Sequence, residues 1–257
     1  MHEMALALLG VLLAGGPNHE PATAPAAAVE AVQRVTFDER DGRVLEGVVR
    51  AFADSSPPRT AFTLLERSPS GSRKLAEGVG AAAYAPDGAI LYVQGESLIE
   101  LDLEGPRVVA EKVAPDFALD PSGETLAVVR LGEPGGGTAI DLLSRKSGEA
   151  KRLVGPDGLN GTPVFSPDGD RIAFSSTRTG VASVFVVRRD GAGLRQVTNK
   201  GIKAGRGVLG PDFIPPIESR RGLRFVDGSV LEYRGADGLW RVNLESGRAR
   251  PAEGGSR

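Results

Sequence analysis

The chain has 257 residues, of which 40% are hydrophobic and 25% are charged, as in ordinary globular proteins. It contains no cysteine and two histidines, His2 and His19, both close to the amino terminus. The rest of the chain therefore lacks the residue types for Ser-His-Asp or Cys-His catalysis, for His or Cys metal sites and for disulfides. Its 35 glycines and 18 prolines predict a fold rich in turns.

Residues 1–28 are typical of a secretory leader followed by a Pro/Ala-rich linker. The apolar run at 4–16 is too short to span a membrane but fits the apolar core of a signal peptide. His2 and Glu3 stand where a basic residue is usual, and no cysteine is present to carry a lipid anchor. We expect a periplasmic or secreted protein with no stable membrane insertion after leader removal. The alternative is a cytoplasmic protein with an apolar tail.

The charges outside this leader are balanced. Residues 1–28 hold two of the 33 acidic residues and none of the 31 basic ones, so the remainder has no net charge. This balance does not indicate nucleic acid as a partner. A basic segment at 188–206 lacks the aromatic residues on which bases stack. It is interpreted as a solvated edge, with a docking patch for an acidic partner as the alternative.

One short pattern recurs five times along the chain. Each copy has an apolar strand, a tight turn that ends in glycine, and a second apolar strand. The copies lie at 35–51, 82–93, 117–129, 163–175 and 223–233. The turn residues in the last four copies are Asp87, Gly88, Ser122, Gly123, Asp168, Gly169, Asp227 and Gly228. Recurrence at this spacing indicates a repeat architecture.

The composition of the turn explains its recurrence. Proline presets φ at the first central position of a turn, and Asp or Ser accepts hydrogen bonds from the local backbone. Glycine adopts the positive φ that closes a hairpin without a Cβ clash. The flanking residues alternate between apolar and polar or small, as in 171–174, so that one face of each strand can be buried.

Each unit then continues through two further apolar segments. In the fourth unit, the turn at 177–180 leads to a strand at 183–187, and the turn at 189–193 leads to one at 194–198. Four short antiparallel strands repeated in this way predict an all-β fold, a β-propeller of four-stranded blades. Five units are recognisable, which leaves five or six blades open. A single domain at 29–257 is expected, with a long loop at 200–222. A β-sandwich is the competing all-β fold.

Residues 161–199 resemble the WD40-like repeat of TolB-type β-propellers, also called the SPDG or PD40 repeat. The likeness rests on SPDG at 166–169, the RIAF strand that follows it, S-x-R-x-G at 176–180 and QVT at 196–198. It implies a propeller architecture over 35–251 and says less about function. TolB-type proteins carry an α/β domain before the propeller, and similar peptidases carry a hydrolase domain after it. With no G-x-S-x-G motif and no room beside five units, we expect neither domain here.

The remaining polar residues favour binding over catalysis. Most acids fall at turns, where capping of the local backbone is the ordinary role, so no cofactor or metal is predicted. Arginines in turns are the candidate partner-binding residues, namely Arg178, Arg188, Arg189, Arg220 and Arg221. We expect a non-enzymatic TolB-like scaffold that binds a protein or peptide in the bacterial cell envelope. The alternatives are a carbohydrate-binding or carbohydrate-cleaving propeller with carboxylates in its channel, and a partial propeller completed by another chain.

Overall fold

The computed structural model describes residues 29–52, 59–198, 222–235 and 238–252. All regular structure in these residues is β-strand. The part of the chain described contains no helix able to cross a membrane. The leader at 1–28 and the loop at 200–222, except its last residue, lie outside the described residues.

The strands form five four-stranded antiparallel sheets, each in chain order. The first sheet holds β1 (Val29–Arg40), β2 (Arg43–Phe52), β3 (Arg59–Ser68) and β4 (Gly71–Glu77). The second holds β5 (Val79–Tyr84), β6 (Ile90–Gln94), β7 (Ser97–Leu101) and β8 (Pro106–Ala110). The third holds β9 (Val113–Leu119), β10 (Thr125–Arg130), β11 (Ala139–Ser144) and β12 (Ala150–Val154). The fourth holds β13 (Asn160–Phe165), β14 (Arg171–Ser176), β15 (Ser183–Arg188) and β16 (Arg195–Gln196). The fifth holds β17 (Leu223–Phe225), β18 (Val230–Gly235), β19 (Gly238–Asn243) and β20 (Ala249–Pro251).

These sheets confirm the five predicted units and the β-propeller architecture. The strand β16 is shorter than the predicted strand at 194–198. Beyond Gln196, the hydroxyl of Thr198 accepts a hydrogen bond from the Val184 N–H at 3.0 Å. The Thr198 hydroxyl therefore accepts the hydrogen bond that a backbone carbonyl would accept in a regular antiparallel sheet.

Successive sheets pack face to face through alternating apolar residues. In β14, Ile172 and Phe174 join Ile140 of the third sheet in one buried cluster. Ala173, between them, joins Leu231 of the fifth sheet in another. This two-residue alternation is the one predicted for the fourth unit. Packing runs in chain order from the first sheet to the fifth, and among the described residues no strand of the fifth packs extensively on the first.

The antiparallel order places the connections at two opposite rims. The first strands of successive sheets lie side by side, so they are the inner strands of the propeller. Turns between the first and second strands, and between the third and fourth, share one end, which we call the hairpin rim. Turns between the second and third strands and the links from one sheet to the next share the other end, the link rim.

Three of the repeated turns have the predicted backbone. In each, the glycine N–H donates to the carbonyl three residues earlier, and its φ is positive: +90° at Gly88, +76° at Gly123 and +75° at Gly169. Gly42 also has a positive φ, +73°, and Asp41 before it has φ 50°, so this first turn is a two-residue type I′ hairpin.

The expectation of positive φ is wrong at Gly228, which lies outside the left-handed region. Its turn contains no proline and is closed by the Asp227 side chain. The Oδ1 atom of Asp227 accepts hydrogen bonds from the N–H groups of Ser229 at 2.7 Å and Val230 at 2.8 Å. Because the side chain satisfies these donors, the glycine does not need the left-handed conformation.

Candidate functional site

The turn acids of the hairpin rim cap their own backbone. Asp87 Oδ1 accepts from the Ala89 N–H at 3.2 Å, and Asp168 Oδ1 accepts from the Asp170 N–H at 3.0 Å. Ser122 Oγ accepts from the Glu124 N–H at 3.2 Å. The Ser166 hydroxyl and the Asp170 N–H hold the pKa of Asp168 below its usual range. In these turns the side chains therefore satisfy donors of the local backbone.

Some of these acids also join neighbouring sheets. Asp87, in the first turn of the second sheet, pairs with Arg145 of the third sheet at 2.8 Å. The Arg145 guanidinium is nearly buried and also contacts Glu100 at 2.7 Å. One sheet further, Asp120 pairs with Arg189 at 2.9 Å. The hairpin rim is therefore tied together by ion pairs between successive sheets.

The three candidate arginines that the structure describes do not lie together, since Arg188 and Arg189 are on the hairpin rim and Arg178 is on the link rim. Arg189 is engaged within the protein, since it also donates to Thr125 Oγ1 and lies over the Phe165 ring at 5.9 Å. Arg188 is exposed on the hairpin rim and pairs with Asp190 at 3.2 Å. Arg220 and Arg221 lie outside the described residues.

Arg178 differs from these residues in both place and environment. It lies on the link rim, in the turn between β14 and β15, and is half-buried. Its Nε donates to Ser176 Oγ at 3.0 Å, and one Nη donates to Asn160 Oδ1 at 3.0 Å. Its guanidinium carbon lies 5.5 Å from the ring centroid of Phe174 and 5.1 Å from that of Phe185. Both aromatic contacts are within the range of a cation–π interaction.

Asn160 holds the acceptor for Arg178 in a fixed position. Its side chain is fully buried at the start of β13. The Nδ2 group of Asn160 donates to the carbonyls of Thr138 and of Gly155, the latter at 3.1 Å. Its backbone N–H and the Thr138 hydroxyl are 2.6 Å apart. With Nδ2 occupied in this way, Oδ1 faces the arginine.

Neutral groups surround the Arg178 guanidinium, and no ion pair to it forms among the described residues. Burial lowers the pKa of Arg178, and the charge of Asp157 on the preceding link partly opposes that effect. Asp157 itself is exposed. The site is therefore a preorganised cation whose charge is incompletely compensated, at the rim where sheets are linked.

Two acids of the inner strands hold neighbouring sheets together. Asp38 Oδ2 accepts from the Tyr84 N–H at 2.8 Å, and Asp116 Oδ2 accepts from the Thr162 N–H. Each pair connects the first strand of one sheet to that of the next. In the described ranges, no group of three or more His, Cys, Asp or Glu side chains is placed to hold a metal ion.

Sequence reasoning identified Arg178 but missed the residues that fix it. The S-x-R-x-G pattern contains Ser176 and Arg178, so their proximity was available from the repeat. Asn160 is the first residue of β13 and pairs with Ser176 of β14, and Thr138, just before β11 of the third sheet, hydrogen-bonds Asn160. The repeat pattern does not indicate that Asn160 accepts from the arginine, and the contact of Thr138 with Asn160 depends on the packing of adjacent sheets.

One curated protein matches this chain in sequence, and many solved structures match it in fold. No family model matches the chain. An uncharacterized protein of Agrobacterium fabrum, Atu1656, is 42% identical over 126 residues. That match covers 45% of this chain and 42% of the relative, so the chain spans well under two thirds of the relative's length.

The solved structures that match include β-propellers and proteins that contain them. A structure assigned as TolB from Agrobacterium tumefaciens has a TM-score of 0.56 at 18% identity, covering 85% of this chain and 80% of that one. A puromycin-hydrolyzing peptidase of Mycobacterium tuberculosis has a TM-score of 0.56 at 15% identity, covering 86% and 39%. The propeller domain of the Trilobed protease from Pyrococcus furiosus, described as having an open velcro topology, has a TM-score of 0.52 at 12% identity, covering 88% and 85%. The chain therefore has the fold of the TolB-like β-propellers.

Proposed function

We propose that the protein is a non-enzymatic, TolB-like β-propeller scaffold that binds a protein or peptide through its link rim. Residues 29–257 form its single propeller domain, behind a leader at 1–28, and it works in the periplasm or outside the cell. The fold of the solved neighbours and the signal-like composition of 1–28 support this proposal. Loops at the rim of a rigid scaffold are where binding residues usually lie.

Arg178 is the observation that carries the proposal. On the hairpin rim, Arg145 and Arg189 are bound to carboxylates of neighbouring sheets and serve the packing of the propeller. Arg178, on the opposite rim, is held rigidly by neutral groups instead. A fixed and partly exposed guanidinium contributes to recognition at a small entropic cost, because its rotamer is already set.

Site-specific photo-crosslinking in intact cells tests which rim binds. A photoreactive amino acid replaces Glu133 or Thr179 on the link rim, and Leu103 or Glu245 on the hairpin rim as matched controls. All four side chains are exposed. We expect discrete adducts from the two link-rim positions only, recovered with the cell envelope and identified by mass spectrometry.

Equal crosslinking from both rims would contradict a link-rim site. Absence of adducts from all four positions, with the protein recovered in the cytoplasm, would contradict the envelope scaffold as a whole.

A further inference from the structure

We propose that the Arg178 site binds a carboxylate group carried by the partner peptide. This inference rests on the proposed function and specifies the chemistry of the same site. The carboxylate has two sources, an Asp or Glu side chain and the carboxyl terminus of a chain. Both present the same two oxygens to a guanidinium, and the experiment below separates them.

The Arg178 guanidinium has more N–H donors than the described residues have acceptors for it. A guanidinium has five N–H groups and no acceptor. Ser176 and Asn160 take one each, at Nε and at one Nη, and the described residues provide no hydrogen-bond acceptor for the other three. Because the rings of Phe174 and Phe185 lie against the guanidinium, an incoming acceptor meets these N–H groups in the guanidinium plane. Carboxylate oxygens fit this geometry, and hydrogen bonds between charged partners are the strongest kind.

The positive charge of Arg178 is incompletely compensated by the groups around it. A partly buried cation loses some of its favourable interaction with water. Hydrogen bonds to neutral acceptors compensate for only part of this free-energy cost. Elsewhere the protein supplies a buried carboxylate to its arginines: Asp141 lies between Arg130 and Arg152, and Glu232 binds Arg224 and Arg241. Arg178 is half-buried and has no such partner among the described residues, so a carboxylate from another molecule would complete the arrangement that the protein itself uses elsewhere.

The charge of Asp157 opposes the binding of a second carboxylate at Arg178. Its charge acts on Arg178 from the link between the third and fourth sheets, but it forms no ion pair with the arginine. An exposed acid in this position repels an incoming carboxylate and competes with it for the same cation. Removing its charge should therefore strengthen carboxylate binding, whereas a purely structural role for Arg178 predicts no such gain.

The test follows the Arg178 Nε–Hε resonance by NMR in the full chain while three pools of short synthetic peptides are added. The first pool has one fixed Glu and an amidated carboxyl terminus. The second has no acidic side chain and a free carboxyl terminus. The third has neither carboxylate. We expect a saturable shift with the first pool, the second or both, and none with the third, so the first two arms assign the source of the carboxylate.

Variants connect the shift to the site. Arg178→Gln should weaken peptide association by about tenfold, the loss expected for one charge-assisted contact, measured by the intensity of peptide signals. Asp157→Asn should strengthen it by about threefold at low salt. Arg248→Gln removes a positive charge from the exposed turn between β19 and β20 on the opposite rim and should leave the association unchanged.

Each contrary outcome overturns the inference. These outcomes are no shift with any pool, an equal shift with the neutral pool, or no strengthening in Asp157→Asn. The Asp157 variant keeps the test decisive if Arg178→Gln destabilises the fourth sheet, since Asp157 is exposed and makes no core contact. Failure of the two proposals is distinguishable: link-rim crosslinks without carboxylate dependence overturn this inference alone, whereas absence of crosslinks overturns the scaffold.

Discussion

Gly123 is constrained both by the backbone of its own turn and by close contact with the preceding sheet. Its φ of +76° already favours glycine. A Cβ at this position would also lie 2.7 Å from Pro86 Cγ, in the turn of the preceding sheet, and closer still to Cδ. Gly88 has the same kind of turn with φ +90°, but its nearest neighbour is a flexible Arg43 nitrogen at 4.0 Å.

This difference predicts unequal costs for the same substitution. Gly88→Ala should lower the free energy of unfolding by roughly 1–2 kcal/mol, the cost of a left-handed backbone for an L-residue. Gly123→Ala should lower the free energy of unfolding by about 1–3 kcal/mol more than Gly88→Ala does, because the Pro86 ring is rigid and must be displaced. Urea denaturation of the two variants measures both values. Equal decreases in the free energy of unfolding would show that the turns of adjacent sheets are not in tight contact.

At the residue scale, the sequence predicted which residue types each turn requires but not which residues of other repeats each turn contacts. The glycine and the capping acid follow from local backbone chemistry, and this logic failed only at Gly228, where the Asp227 side chain closes the turn. The contact of Gly123 with Pro86 joins residues from different repeats. It depends on how two sheets are positioned, which no local pattern encodes.

At the scale of elements, ion pairs across the hairpin rim join one sheet to the next. The Asp120 carboxylate is nearly buried and binds Arg189 of the following sheet. Burial by itself raises the pKa of Asp120, but the Thr125 N–H, Arg189 and Ser122 outweigh it and hold this pKa below the usual 3.8. The ionised form therefore stabilises the folded state.

Asp120→Asn should lower the free energy of unfolding near neutral pH by about 1–3 kcal/mol, the range for a hydrogen bond to a charged group. Because the folded pKa is depressed, the contribution of Asp120 is present above pH 3.8 and is lost as the pH falls further, through the lowered folded value. The difference between the natural protein and the variant should shrink over that window, as measured by denaturation at a series of pH values.

Asp190→Asn is the matched control for this effect. Its ion pair with Arg188 lies on the same rim but is exposed on both sides, so its loss should cost less than that of Asp120. A larger effect at Asp190 would contradict the view that pairs between sheets, and not surface pairs, hold the rim.

At the scale of the whole molecule, stability is distributed over the interfaces between neighbouring sheets. Among the described residues, each buried cluster joins two neighbouring sheets, as in other repeat proteins. Phe174 is fully buried between the third and fourth sheets, and its ring lies 5.9 Å from that of Phe185. Its loss should affect this interface before the others.

Phe174→Ala should lower the free energy of unfolding by about 3–5 kcal/mol, as for other buried aromatic residues. Hydrogen exchange should rise first in β9–β16, which form the two sheets at this interface, and later in the first sheet. Val181→Ala, at an exposed position of the same sheet, is the control and should have little effect. Uniform acceleration across all five sheets would instead show that the propeller opens as one unit.

The sequence by itself determined the five units, the four strands in most of them and the turn chemistry, because these features depend on residues close together in the chain. The alternation of Ile172, Ala173 and Phe174 likewise set which side chains each sheet buries. Only the tertiary structure decided which arginines are engaged. Arg189 and Arg178 both occupy turns of one repeat, but the neighbouring sheet brings a carboxylate to Arg189, whereas the first strand of its own sheet presents a buried asparagine to Arg178. That distinction arises from contacts between strands and between sheets, and it is what separates a packing residue from a candidate binding residue.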